Sequence, residues 1–416
     1  MRRLFVRVHR WVGLTMTIFL VVVGLTGSVL AFREELDLWL NPELLTVTPR
    51  DTPMLDPFTL LEKALALFPD AQIDWVQLNT PPSRSVGFSI TTKTADGEVT
   101  REIFFDPYTG EGLGERVWGE VSIAKKDIIS FLYRLHRTLA FPVAQAARGV
   151  YLLGVVALLW TIDCFVSFYL TFPLGRRKDS DGSGRSWWSR WKPAWRIKFS
   201  GGAYRINFDI HRAFGLWTWA MLFVFAWSSV AFNLSEVYIP TMRTLFGGLH
   251  IPPEIAALAM PLDTPRLNWR EAREAGHALL EEQAREHGFT VGREETLWLD
   301  RAHGVYTLSA AGPLDAPLAS SGVNVTFDAD TGALRDTKWP GSTPALAGDT
   351  ITAWLVYLHM ARVFGLPMKI FVCAMGFVIT ALSVTGVYIW WKKRSARRSR
   401  RERNGTPVLQ RSTVDI

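Results

Sequence analysis

Four stretches of the chain, residues 11–32, 149–172, 213–234 and 368–391, are apolar over about twenty residues or more, the length an α-helix needs to cross a hydrocarbon core of about 30 Å. Only lipid or one another can bury such stretches, so the sequence predicts a membrane α+β protein with a four-transmembrane-helix bundle. Arg2, Arg3 and Arg7 precede the first stretch as in a signal peptide, but the run is too long and lacks a small-x-small cleavage site, which predicts an uncleaved anchor. Basic residues then set the orientation, because they stay on the cytoplasmic side in short loops and tails. They crowd the N-terminus, the loop after the second stretch (Arg176, Arg177, Lys178, Arg185, Arg190, Lys192, Arg196, Lys198) and the tail beginning KKRSARRSRRER. Both termini are expected in the cytoplasm. Residues 33–147 carry 11 Lys and Arg against 17 Asp and Glu, a net of −6, as suits an exported segment. The overall charge of +7 is accounted for by topology and anionic headgroups, and no nucleic-acid partner is expected. Cys164 and Cys373 lie within apolar stretches and read as packing residues, with no disulfide framework.

Histidines sit at the edges of these stretches in a repeated pattern. HRWVGL from His9 opens the first and HRAFGL from His211 the third; LHRTLAFP, with His136, precedes the second and LHMARVFGLP, with His359, the fourth. Ile128, Phe131, Leu132, Leu135, His136 and Leu139 fall on one helical stripe, and Ile351, Trp354, Leu355, Leu358, His359 and Arg362 repeat its offsets. Pro142 and Pro367 then allow a bend before the apolar run. Phe5, Val8, His9 and Val12 share a stripe, as do Phe208, His211 and Gly215. Four imidazoles on apolar faces are what two six-coordinate iron porphyrins need, since each iron takes two neutral ring nitrogens. Gly13 and Gly215, one turn after their histidines, remove a side chain where a flat macrocycle would need room. Arg10, Arg137, Arg212 and Arg362, beside or one turn from the four histidines, are candidates for holding propionates, with lipid phosphate as the competing partner.

Each half of the chain repeats the same order. From Asp106 to Asp328 is 222 residues, from His136 to His359 is 223, and from His9 to His211 is 202, which points to an internal duplication. A copy that crosses outward and back keeps its orientation, so His9 is expected to pair with His211 near the cytoplasmic face and His136 with His359 near the outer face. The expected segments are 1–32 (cytoplasmic edge and first helix), 33–127 (first exported α+β domain), 128–173 (outer-edge helix and second span), 174–207 (basic cytoplasmic loop), 208–234 (third span), 235–350 (second exported domain), 351–392 (outer-edge helix and fourth span) and 393–416 (basic tail). In the exported parts, LLEKALALF and WREAREAGHALLEEQA read as helices, and TLWL, GVYTL and VNVTFD as strands. Asp106 with Gly110 and Asp328 with Gly332 read as turn chemistry. The aromatics Trp75, Tyr108, Trp118, Trp298, Tyr306 and Trp339 read mainly as core or interface, with lining of a chelate pocket as the alternative. His250, His277, His287 and His303 read as solvated, with direct iron capture as the alternative, and Trp187, Trp188, Trp191 and Trp195 as a membrane-surface anchor, with donor docking as the weaker alternative.

The boxes HRWVGL and GLTGSVLAF, the DPYTGE turn, the LHR box, DIHRAFGLW and the closing FGLPMKIFVCAMGFVITALSVTGVYIWWKKR resemble the PepSY-associated transmembrane family, over nearly the whole chain apart from the cytoplasmic loop and tail. That family includes haem-containing inner-membrane reductases of ferric siderophores, of the ferrioxamine reductase type. The resemblance implies two PepSY-like periplasmic domains, two b-type haems on the edge histidines, and reduction of a ferric siderophore on the periplasmic side. The chain departs from the pattern in its first-half LAFP, where the second half reads FGLP, and in Met360 after His359, departures that touch the propionate contacts more than the ligands. Without a GxGxxG, P-loop or flavin fingerprint, the electron donor is expected to be a separate cytoplasmic reductase or the quinol pool. Two other classes compete: a membrane binding or regulatory protein with structural histidines, and a siderophore permease, for which four spans and large exported domains leave little midplane path.

Overall fold

The computed structural model describes the chain except for residues 95–96, 174–185, 248, 250–254, 312–321, 340–346 and 406–416. In chain order the helices are α1 (Arg2–Leu30), α2 (Arg33–Leu40), α3 (Pro42–Leu45), α4 (Pro57–Leu67), α5 (Ile128–Thr138), α6 (Ala146–Thr171), α7 (Trp187–Trp191), α8 (Ala203–Trp217), α9 (Trp219–Asn233), α10 (Ser235–Phe246), α11 (Trp269–His287), α12 (Ala347–His359) and α13 (Gly365–Gly405). The strands are β1 (Trp75–Gln77), β2 (Val86–Thr94), β3 (Gly97–Phe105) and β4 (Gly112–Val117), then β5 (Glu294–Asp300), β6 (Val305–Ala310), β7 (Val323–Asp328) and β8 (Leu334–Lys338). Two compact units result: Met1–Ala31, Leu152–Asn233 and the chain from Ala361 form a helical unit, and Phe32–Tyr151 with Leu234–Met360 form a sheet-bearing unit.

In the helical unit α1 runs along α13, and α8 also packs on α13. The α1–α13 approach is set by small residues. A Cβ on Gly376 would lie 2.3 Å from the Gly24 carbonyl and 2.1 Å from Ser28 Oγ, and Ser28 Oγ donates across the gap to the Cys373 carbonyl at 2.8 Å. Where surrounding side chains are uniformly apolar, close backbone approach and interhelical hydrogen bonds supply the specificity that hydrophobicity cannot. Hydroxyls of Thr17, Thr26, Thr161, Ser228 and Thr380 bond back to carbonyls four residues earlier, so their polar atoms are satisfied inside their own helices.

Among the described residues, three helical runs are long and apolar enough to cross a membrane: Arg2–Leu30, the run ending at Thr171 that contains α6, and Gly365–Ser399. The third predicted span is different, because α8 and α9 meet at 69° and supply a fourth crossing only if counted as one. No proline stands at the break. Thr218 leaves helical geometry with ψ near 5°, and both its amide (3.0 Å) and its hydroxyl (2.7 Å) bond the Phe214 carbonyl.

In the sheet-bearing unit, the segments expected as separate domains share one sheet and one core. β2, β3 and β4 form an antiparallel sheet, whereas β1, from the first segment, adds to the edge of β5 in a five-stranded sheet ordered β1-β5-β6-β7-β8. Trp75 lies opposite Trp298 in that pairing, and a bridge from Gln72 to Thr91 ties the start of β1 to β2. Phe58, Leu60 and Leu61 of α4, Leu280 of α11, Val76, Phe88, Leu297, Leu308, Val325 and Phe327 belong to the same buried cluster. Each such side chain contributes about 1.5–3 kcal/mol on burial, and three-residue β1 has its central Val76 fully buried. The two segments thus share one core, in which the edge left by β5 is completed by β1 from the first segment.

Local signals account for most of the ends. Asp56 caps α4 by accepting from the Thr59 amide, with Pro57 at the first helical position. Asn268 and Glu271 form a capping box on α11, which stops at Gly288 with φ 71°. The two turns follow their expected chemistry: Asp106 Oδ1 accepts from the Tyr108 amide (2.8 Å) and Asp328 Oδ1 from the Thr331 amide (2.9 Å), while Gly110 and Gly332 take φ of 70° and 72°.

Candidate functional site

His9, on α1, and His211, on α8, are brought together in the helical unit with ring centroids 6.0 Å apart and planes inclined at 55°. Each ring is held through Nδ1. His9 Nδ1 donates to both oxygens of Asp163 on α6, at 2.9 and 3.0 Å. His211 Nδ1 lies 3.0 Å from the Leu382 carbonyl and 3.1 Å from Thr385 Oγ1, both on α13. A carboxylate and a carbonyl only accept, and the Thr385 hydroxyl donates to the Ala381 carbonyl at 2.6 Å, so Nδ1 carries the proton in both rings. In the neutral rings this leaves the Nε2 lone pairs without hydrogen bonds among the described residues, the arrangement typical of metal-ligating histidines. Four helices thus contribute to one pair.

The surroundings of this pair fit a flat group. A Cβ built on Gly13 or Gly215 would meet nothing within 4 Å, whereas one on Gly386 of α13 would meet His211 Cε1 at 3.3 Å. The glycines one turn beyond the histidines face open space, and Gly386 instead lets α13 approach the ring closely. Among the described residues, no three His, Cys, Asp or Glu side chains gather as a site for a bare metal ion.

The expected arginines divide. Nε of Arg10 and of Arg212 is buried without a hydrogen-bond partner. Arg212 also donates to the Pro193 carbonyl (2.7 Å) and to Asp209 (2.8 Å). Asp209, fully buried, additionally receives Arg205 Nε at 2.9 Å. Arg137 is exposed, 3.5 Å from the Tyr133 hydroxyl, and Arg362 is exposed.

His136 and His359 stand in the last turns of α5 and α12, in the sheet-bearing unit. Burial and the adjacent His136 push the His359 pKa down to about 3, so its ring is neutral at physiological pH. Among the described residues, the four non-glycine residues with left-handed φ are Leu139 and Ala140 after His136, and Ala361 and Phe364 after His359. Each costs roughly 1–2 kcal/mol relative to ordinary backbone. Arg134 braces the first of these loops, donating to the carbonyls of Gly119 (2.8 Å), Ala140 (3.3 Å) and Phe141 (2.8 Å). Arg116, nearly fully buried, joins α2, β4 and the start of α5 through Asp37 (2.8 and 2.9 Å), Glu102 (2.6 Å) and the Lys126 carbonyl (3.0 Å).

The remaining candidates are placed elsewhere. His277 bonds Glu294 and His303 bonds Asp300, both at 2.8 Å, His287 stacks on Trp339, and His250 lies outside the described residues. Tyr306 is a core residue. Trp191 is buried against Phe168 and Phe172, while Trp187 and Trp188 stay exposed; Arg176, Arg177, Lys178 and Arg185 lie outside the described residues. A groove of about 560 Å³ in the sheet-bearing unit is lined by Asp56, Arg270, Arg273, His277 and Glu294, and its charges pair internally, Arg270 with Asp56 and Arg273 with Glu294.

Sequence reasoning passed over Asp163, Thr385 and the Leu382 carbonyl. Asp163 had a readable signal: it is an ionisable side chain inside an apolar run, which is expensive there and marks function by default. The other two had none, since a threonine and a backbone carbonyl become partners only when α13 is laid beside α8.

Long apolar helices, small antiparallel sheets and histidines set on helices define a membrane protein. The chain belongs to the family described as the PepSY-associated TM region, which matches residues 6–393. No protein of curated function matches the sequence.

Proposed function

We propose that the chain is a di-haem b-type reductase of the bacterial inner membrane that passes electrons to a periplasmic ferric siderophore and releases Fe(II). The observation that carries this reading is the His9–His211 pair, with ring centroids 6.0 Å apart, Nδ1 of each engaged and open flanks at Gly13 and Gly215. Family membership and the charge pattern support the setting, with both termini and the basic loop in the cytoplasm and the sheet-bearing segments exported. The repeated order of histidines and turns supports an internal duplication around a four-helix bundle, which assigns His136 and His359 to a second haem near the outer face.

A bis-imidazole haem supplies a one-electron Fe(III)/Fe(II) couple with no open coordination position. His9 and His211 would hold one such group, and Asp163, Leu382 and Thr385 keep the proton on Nδ1, so that Nε2 would be the nitrogen available to it. Arg10 and Arg212 at the first pair, and Arg137 and Arg362 at the second, are the residues assigned to propionates, through charge-assisted bonds. An Fe(III) chelate held by hard oxygen ligands takes up one electron to become Fe(II), for which those ligands have less affinity. No nucleophile or general base is required. The electron comes from a separate cytoplasmic reductase or from quinol.

The test is spectroscopic. Purified protein is expected to show a Soret band and sharp α and β bands on reduction, and a ferric siderophore added to dithionite-reduced protein is expected to reoxidise it. A spectrum without haem bands sinks the reading; haem that no ferric chelate reoxidises moves the acceptor to another class.

A further inference from the structure

Asp163 is a buried carboxylate on α6 in the otherwise uncharged run YLLGVVALLWTIDCFVSFYL, and among the described residues its hydrogen bonds go to His9 alone. The other ring is treated differently: among the described residues, His211 Nδ1 meets only neutral acceptors, the Leu382 carbonyl and Thr385 Oγ1. The two imidazoles are therefore matched in position and unmatched in charge. A neutral side chain at that position would avoid the cost of placing a carboxylate in an apolar helix.

We propose that Asp163 is a positioning residue that lowers the reduction potential of the site between His9 and His211. This rests on the haem reading above. Its negative charge, acting through the Nδ1–H bond, makes His9 the more electron-rich ligand and favours the ferric over the ferrous state. Adding one electron makes the site more negative by one charge, and a carboxylate held against the ligand in an apolar setting opposes that step more than a carbonyl or hydroxyl does. His9 consequently carries the tuning and His211 the invariant contact.

The full-length protein in detergent, titrated optically with dithionite and ferricyanide, tests this. Asp163→Asn keeps an oxygen to accept from Nδ1 and drops the charge. It is expected to keep two haems per chain and to raise one midpoint by about tenfold in the reduced-to-oxidised ratio, about 59 mV for one electron. Asp163→Glu is expected to stay near the wild type, and Thr385→Val to move the same midpoint less than Asp163→Asn does. A second measurement needs no variant: electron paramagnetic resonance of the oxidised wild type is expected to resolve one ferric signal with the more anionic ligand character. Two haems with unmoved midpoints in Asp163→Asn, or two identical wild-type signals, overturn the inference while leaving the haem reading intact. A wild type without haem ends the haem reading itself.

Discussion

The two histidine pairs come from similar sequence boxes, yet their surroundings differ. At His9 and His211 the support is applied to the rings, by Asp163 on one and by Leu382 and Thr385 on the other. Near His136 and His359 the chain itself is braced, by Arg116 at the start of α5 and Arg134 beyond its end, and strained left-handed residues follow both histidines. A ring fixed by its own hydrogen bonds keeps its tautomer and aim whatever the loop does.

The comparison breaks most directly at the ligands. His9→Ala or His211→Ala is expected to remove about half of the bound haem, and His136→Ala or His359→Ala the other half, read by pyridine haemochrome against protein; unchanged content in either pair removes it from the assignment. Arg116→Ala leaves buried Asp37 and half-buried Glu102 without their cation and is expected to cost about 3–5 kcal/mol in the sheet-bearing unit. Haem loss in that variant should fall on the second pair, and equal loss from both would show that the supports are shared. Gly376→Val forces α1 from α13 and is expected to destabilise the helical unit by about 1–3 kcal/mol, lowering its thermal midpoint and haem retention at the first pair.

Smaller changes sharpen the contrast. Leu139→Gly relieves a φ of 54° and is expected to gain up to about 1 kcal/mol after glycine's own entropic cost, without altering the first pair. Acid separates loss of fold from loss of ligand. Although burial alone would raise the Asp328 pKa, hydrogen bonds from Arg335 and from Thr331 and Asp330 hold it down to about 2, below the usual 3.8. Between about 4 and about 2 the folded state binds fewer protons than the unfolded one at this group, so its contribution is complete above that window and lost as pH falls through it. The stability gap between wild type and Asp328→Asn, measured by thermal melts at pH 6 and pH 3, is expected to narrow at the lower pH.

The chain's apolar runs, caps and turns were legible because they are local. Twenty apolar residues specify a membrane-crossing helix, Asn268 with Glu271 starts α11, and Asp328 with Gly332 makes a turn whatever surrounds them. The histidines were also visible, since repetition at fixed offsets is a property of the string. Three features were not legible: the addition of β1 to β5, the break at Thr218, and the partners of the imidazoles. β1 is three residues long and carries no register of its own until a distant edge accepts it. Thr218 sits in a run whose composition is that of an unbroken helix. Asp163 could be flagged as costly, but that it bonds His9 154 residues away, while a carbonyl on α13 bonds His211, follows only from the packing of four helices. Sequence therefore determined which residues are available at the lipid edge, through local hydropathy and repetition. Tertiary structure decided which ring nitrogens are left free, because that depends on hydrogen-bond partners brought together only by folding.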